Sequence, residues 1–296
     1  MRDYIELTKP RITWLILMST GVGYFYGQLY THTSGFHFWL LLHTILGTGL
    51  MASGTAALNQ WYEREADRHM RRTAARPLPS GRLSSGGALA FGVALSVGGF
   101  LDLWLGANLL AGLIGAFTLA SYLFAYTPLK QRTWWSTTVG AVPGAMPPMI
   151  GYAAAAGAIT SQAWVLAAIL FLWQFPHFYS IAWMYKEDYA RAGIRMLPVV
   201  EPDCRSTARQ IVLYGLALVP VSLVPAALGM SGRIYLAGAL LFGLWFLYSG
   251  VRVALDRTMV RARAVLIASV LYLPAIYTLM VLDKAAASFR FLAASF

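Results

Sequence analysis

An all-α, polytopic membrane bundle of nine transmembrane helices, grouped around a central cavity that opens to the cytoplasmic side, is the fold this sequence predicts. Three observations predict it. Of the 296 residues, 58% are hydrophobic and only 12% are charged, too apolar a mixture for an ordinary soluble domain. Nine apolar runs approach or exceed the ~20 residues a helix needs to cross the hydrocarbon core. The basic residues fall in alternate spacers between those runs, which is how membrane topology distributes them.

In chain order the runs are Ile12 to Leu29, Phe38 to Leu58, Ala88 to Leu105, Leu109 to Tyr126, Ser136 to Ala156, Trp164 to Met184, Ile211 to Leu228, Ile234 to Val253 and Ala264 to Leu282. Twenty of the 23 Lys and Arg residues precede the first run or lie at the end of or after the second, fourth, sixth and eighth; Arg233, Lys284 and Arg290 are left for the other side. The positive-inside rule then puts the amino terminus in the cytoplasm, or in the matrix if the membrane is mitochondrial, and the carboxyl terminus outside. A bacterial inner membrane is the expected location. The formal charge of +11 follows from these loops and does not point to nucleic acid. One cysteine, Cys204, excludes a disulfide framework and a multi-cysteine metal site. Charged residues from Arg2 to Arg11 lead into a run longer than a signal core, so no cleavable signal peptide is expected.

The fifth run contains Pro143-Gly144-Ala145-Met146-Pro147-Pro148 and cannot be a regular helix throughout. Broken helices face a cavity or a neighbour rather than lipid, and a cavity is the reading adopted. Small residues such as Gly47, Gly49, Ser53 and Gly54 let helices approach closely without implying chemistry. No linker separates two domains, so residues 1–296 read as one integral-membrane domain.

Chemistry concentrates where the second run ends. Asn59, Glu63 and Asp67 fall at i, i+4 and i+8, which puts an amide and two carboxylates on one face if the helix continues. These are hard oxygen ligands of the kind magnesium takes while keeping waters for a phosphate to replace. Arg68, Arg71, Arg72, Arg76 and Arg82 follow at once, a dense group of phosphate-seeking guanidiniums. Together they describe a diphosphate site at a membrane surface; a charge-laced, solvated loop is the plainer alternative.

Two later spacers add to the first. Lys130 and Arg132 follow Tyr126-Thr127-Pro128-Leu129 and can reach a diphosphate beside the acidic loop, although basic residues flanking a span are also the topological default. At the end of the sixth run, Gln174 and His177 stand one turn apart, split by Pro176, in an otherwise apolar stretch. Polar groups at that depth are costly unless they face the bundle interior. Either His177 is satisfied by a neighbour or it contacts substrate, as an iron ligand or a hydrogen-bond partner. Lys186, Glu187 and Asp188 then repeat the arrangement of acids and a cation at the same mouth, and two such mouths can hold two metal ions and one diphosphate. His32, His37, His43 and His69 show no ligand spacing and read as structural, and Asp102 as a residue that caps or pairs.

On these segments the chain resembles the heme O synthases, the protoheme IX farnesyltransferase family within the intramembrane aromatic prenyltransferase superfamily. The resemblance runs from Leu7-Thr8-Lys9-Pro10-Arg11 to the ninth run. It rests on Asn59 to Asp67 with Arg72 to Leu78, Tyr126-Thr127-Pro128-Leu129-Lys130, Gly140 to Pro148, and Trp173 to Pro198. The superfamily's first acidic signature matches Asn59, Glu63 and Asp67, with Glu63 where many members have aspartate. Its diphosphate-loop tyrosine and lysine match Tyr126 and Lys130. In the second signature His177 stands near where 4-hydroxybenzoate prenyltransferases carry an aspartate, which favours a porphyrin over a phenolic acceptor and leaves Asp188 as the second site's carboxylate.

The resemblance implies farnesyl diphosphate and heme b as substrates, with Mg2+ held by Asn59, Glu63, Asp67 and Asp188. Arg72, Arg76, Tyr126, Lys130, Arg132 and Lys186 would bind the diphosphate and stabilise it as it leaves, while Gln174 and His177 would contact heme. A heme vinyl carbon would attack the farnesyl cation and water would complete the product. Partners beyond these substrates and lipid, whether another copy of the chain or a downstream heme-handling enzyme, are open. The competing readings are a related enzyme with a phenolic or chlorin acceptor, a polytopic transporter and a passive heme-binding scaffold.

Overall fold

The computed structural model describes residues 1–31, 35 and 37–294, with side chains as far as Lys284. His32 and the side chain of Arg290 lie outside the described residues. What is described is helix and turn throughout, as the apolar composition requires, because a backbone in lipid must satisfy its polar groups within its own segment.

By backbone contacts the chain divides into two compact units, Met1–Ile159 with Tyr185–Val200, and Thr160–Met184 with Glu201–Phe296. The first contains α1 (Arg2–Leu7), α2 (Pro10–Tyr30), α3 (Phe38–Arg68), α4 (Ser85–Gly106), α5 (Leu109–Ala120), α6 (Thr127–Leu129), α7 (Ser136–Gly144) and α8 (Pro147–Ala156). It also takes in the short helices α10 (Lys186–Arg191) and α11 (Leu197–Val200). The second contains α9 (Ser161–Met184), α12 (Arg205–Ala227), α13 (Arg233–Leu255) and α14 (Met259–Ala294).

Seven helical stretches among the described residues are long and apolar enough to cross a membrane: α3, α4, Leu109–Leu129, α9, α12, α13 and Met259–Lys284 of α14. The other two expected runs are helical as well. With 21 residues α2 has the length, but Thr13, Ser19, Thr20, Gln28 and its tyrosines make it less apolar. The fifth run breaks at Ala145 and Met146, as its prolines require, into α7 of 9 residues and α8 of 10. Neither piece spans alone.

In the first unit α3 packs on α4, and α2 packs on α8. The second pair is in backbone contact, since a Cβ at Gly151 would fall on the Thr20 carbonyl oxygen and one at Gly23 on that of Pro148. His43 Nδ1 and Asp102 Oδ1 meet at 2.8 Å across α3 and α4, so both residues have the structural role expected of them. The helix entering the fourth spacer widens to a π-helix over Ser121–Tyr126, just ahead of Pro128, whose ring and missing N–H disturb the preceding turn.

The second unit packs α9 on α12 and α14, and α13 on the same two helices. Some of its polar contacts are buried and join different helices. The Asp283 carboxylate accepts the Tyr235 amide at 2.9 Å, and the Tyr235 hydroxyl donates to the Ser222 carbonyl at 2.6 Å.

Candidate active site

Helix α3 continues without a break to Arg68, so Asn59, Glu63 and Asp67 stand on one face as their spacing requires. Each acid already holds a cation. Glu63 Oε1 accepts a hydrogen bond from Lys130 Nζ at 2.7 Å, with side chains 13% and 12% exposed. Asp67 Oδ2 accepts from Arg76 Nη1 at 2.8 Å, with the carboxylate 1% exposed. The third member of the column is bridged in the same way. Asn59 accepts from Lys9 Nζ at 3.3 Å and donates to the Thr127 hydroxyl at 3.3 Å.

The arginine-rich loop turns back beneath α3 because Thr73 Oγ1 donates to the Asp67 carbonyl at 2.9 Å, which keeps Arg76 within reach of the acid. Lys130 lies 4.5 Å from the centre of the Tyr126 ring, a cation–π contact added to its ion pair. Burial by itself would lower the Lys130 pKa, but the Glu63 carboxylate outweighs it and holds the ammonium well above its ordinary value. Lys9 has the opposite balance: burial, reinforced by the Arg76 charge, pushes it down to about 8.

The second mouth is joined to the first. Asp188 pairs with Arg191 one turn along α10 and accepts the Arg72 amide at 3.4 Å. The Arg72 guanidinium lies over the rings of Tyr185 and Tyr189, 4.9 and 5.8 Å from their centres. Arg191 donates to the His69 carbonyl at 3.4 Å, and the Arg195 amide donates to the Lys130 carbonyl at 2.8 Å. Three spacers far apart in sequence are thereby tied into one polar group within the first unit.

An apolar cavity in the same unit is walled by Lys9, Thr13, Ala52, Ala56, Tyr122 and Pro147, among others. Lys9 belongs to both regions. It borders the cavity and bonds to Asn59, so the polar group gives directly onto an apolar chamber.

Among the described residues, no three His, Cys, Asp or Glu side chains gather closely enough to form a ready-made metal cage. Magnesium does not require one, because it uses one or two carboxylates and takes its other ligands from water and substrate phosphates. Asn59, Glu63 and Asp67 offer that donor set. Asp67 Oδ1 is buried and has no hydrogen-bond partner among the described residues, which leaves a hard oxygen lone pair uncommitted.

Other expected residues are placed differently. Arg132 is exposed, and its guanidinium makes no hydrogen bond or ion pair among the described residues. Lys186 opens α10 beside this group, half-buried. Gln174 and His177 belong to the second unit, on α9. Gln174 is buried and donates to the Leu170 carbonyl at 3.1 Å. His177 Nδ1 meets Ser269 Oγ at 2.8 Å, and its ring stacks on Trp173 at 4.7 Å.

Lys9, Thr127, Arg191 and Tyr189 join the polar group without having been singled out from sequence. Lys9 has a left-handed backbone, φ 48°, directly before Pro10. Its one sequence signal is a lysine placed against the proline that starts a span.

The UbiA prenyltransferase family matches this chain over residues 16–282. The chain is 77% identical over 289 residues to a protoheme IX farnesyltransferase from Solibacter usitatus (strain Ellin6076), covering 96% of this chain and 99% of that one. Its fold is similar to the apo structure of a UbiA homolog from Aeropyrum pernix K1, with TM-score 0.71, 19% identity and coverage of 90% and 96%. It is also similar to a UbiA homolog from Archaeoglobus fulgidus bound to GPP and Mg2+, with TM-score 0.65, 15% identity and coverage of 94% and 99%.

Proposed function

This chain belongs to the UbiA prenyltransferase family, and from that premise we propose that it transfers the farnesyl group of farnesyl diphosphate to a vinyl group of heme b, with addition of water, giving heme O and diphosphate. The observation that carries the reading is the column of Asn59, Glu63 and Asp67, each joined to a cation, one of which, Lys9, also lines an apolar chamber. The name of the 77% identical relative supports heme as the acceptor.

The diphosphate of the prenyl donor lies against Lys130, Arg76, Arg72 and Lys9, with Tyr126, Arg132 and Lys186 at its margin. Its tail occupies the chamber. Lys130 and Arg76 can turn from Glu63 and Asp67 to the phosphate oxygens of the entering anion; Asn59, Glu63 and Asp67 would then hold Mg2+, and Asp188 would serve a second ion. Bound magnesium supplies Lewis-acid neutralisation of the leaving diphosphate.

The cations around the leaving group take up negative charge as the bond from C1 to oxygen breaks, which lowers the barrier to forming an allylic cation. The chamber walls keep water from that cation. A vinyl carbon of heme b then bonds to C1, leaving a cation next to the porphyrin. Water adds there and loses a proton, so the product carries a hydroxyethylfarnesyl group. Gln174 and His177 hold the heme. The whole chain, 1–296, acts as one enzyme crossing the inner membrane nine times with its amino terminus in the cytoplasm, a topology the charge layout supports.

The test is incubation of the purified protein in detergent with heme b, farnesyl diphosphate and magnesium, followed by mass analysis of the porphyrin. A product heavier by a farnesyl group plus a hydroxyl is expected. Unchanged heme, together with prenylation of a phenolic or chlorin acceptor, overturns the choice of acceptor.

A further inference from the structure

Two side chains of α9, one turn apart, fasten onto a single residue of α14. Trp173 Nε1 donates to the backbone carbonyl of Ser269 at 2.8 Å, and His177 Nδ1 lies 2.8 Å from the Ser269 hydroxyl. The indole and imidazole rings stack at 4.7 Å with 21° between their planes. Ser269 itself is completely buried.

The direction of the hydrogen bond between His177 and Ser269 follows from a third partner. The Ser269 Oγ is 2.6 Å from the Leu266 carbonyl oxygen, and a carbonyl only accepts, so the one hydroxyl proton is committed there. Oγ must therefore accept from His177, which puts the imidazole proton on Nδ1. A neutral imidazole with its proton on Nδ1 has a bare lone pair on Nε2. Nε2 meets no hydrogen-bond partner among the described residues, and the ring is half-buried.

A histidine held only for packing needs no particular tautomer. A histidine that ligates iron does, because the nitrogen that binds metal is set by the bond the other nitrogen makes. We propose that Ser269 is a positioning residue that locks His177 as the Nδ1–H tautomer, so that Nε2 is presented to the iron of the heme substrate while Trp173 fixes the plane of the ring. This rests on the reading of His177 as a heme contact. The serine sees the iron only through the imidazole.

Ser269→Ala removes the hydroxyl and keeps the carbonyl that anchors Trp173, so the packing of α9 on α14 survives. The chain has five histidines, few enough to resolve by 15N labelling of histidine in detergent, with His177→Ala identifying the signal. Wild-type protein without heme is expected to show protonated Nδ1 at His177, and Ser269→Ala to lose that preference. Titration with ferric heme b should then give the absorption spectrum of histidine-ligated iron in the wild type. Affinity should fall by about 10- to 100-fold in Ser269→Ala, as for other residues that orient a metal-binding histidine, and be restored by Ser269→Thr. Protonated Nε2 in the heme-free wild type overturns the role of Ser269. Protonated Nδ1 with heme spectra and affinity indifferent to both Ser269→Ala and His177→Ala overturns iron ligation, and with it the reading of His177 beneath the proposal.

Discussion

Glu63 and Lys130 form a part-buried ion pair at 2.7 Å between the end of α3 and the spacer after α6, which joins the acidic column to the loop proposed to bind the diphosphate. Removing one partner of such a pair leaves an uncompensated charge and costs about 3 kcal/mol, whereas removing both charges costs much less. Lys130→Met should therefore lower unfolding stability in detergent by about that amount, and Glu63→Gln added to it should recover most of the loss. Prenyl transfer should be absent from both proteins. Recovered transfer in the double variant would show that the pair is structural only.

Asp67 carries the argument for metal, because one of its oxygens is paired with Arg76 and the other is buried without a partner. Asp67→Ala is expected to abolish farnesyl transfer while the protein remains folded and its heme spectrum unchanged. Chelation of divalent ions should silence the wild type equally, and added magnesium should restore it. Turnover that continues in the presence of excess chelator would remove magnesium from the mechanism.

The parts of this site that could be read from sequence are those fixed by local periodicity. Asn59, Glu63 and Asp67 share a face because a helix repeats every 3.6 residues, and that needs no tertiary information. The break near Pro143 to Pro148 was legible for the same local reason, since proline cannot continue the hydrogen-bond ladder. Lys9 was not legible as part of the site. It lies 50 positions from Asn59, and only the packing of the first unit brings it to 3.3 Å. Arg132 shows the converse limit: it shares the composition of its loop with Lys130, and composition does not tell that it stands exposed, with no hydrogen bond or ion pair from its guanidinium among the described residues. For His177 the sequence indicated a costly polar group and could not choose a partner, because Ser269 lies 92 positions away on another helix.

The contact of α2 with α8 predicts a purely structural effect. Gly151 faces the Thr20 carbonyl so closely that a methyl group would displace backbone, not a flexible side chain. Gly151→Ala should destabilise the protein by about 1–3 kcal/mol, the usual cost of overpacking. Gly157→Ala supplies the contrast, because its φ of 66° strains an added side chain while the space around it is open. Thermal unfolding of both in the same detergent checks the comparison. Equal stability of Gly151→Ala and wild type would mean that α2 and α8 stand further apart than described.

The chamber predicts a change in donor selectivity. Ala52 and Ala56 line it from the same helix that carries Asn59, and at 1.5 Å per residue Ala52 lies about 10 Å along the helix from that asparagine. A large ring at that depth leaves room beside the polar group for one isoprene unit and blocks the path of the third. Ala52→Phe should consequently lose transfer from farnesyl diphosphate by a large factor, on the order of 100-fold or more if overpacking costs about 3 kcal/mol. Transfer from dimethylallyl diphosphate should persist. Competition between the two donors, read as the ratio of kcat/KM values, measures the effect directly. An unchanged ratio would place the isoprenoid tail outside this chamber, because a side chain that fills the space it occupies cannot leave its length unsensed.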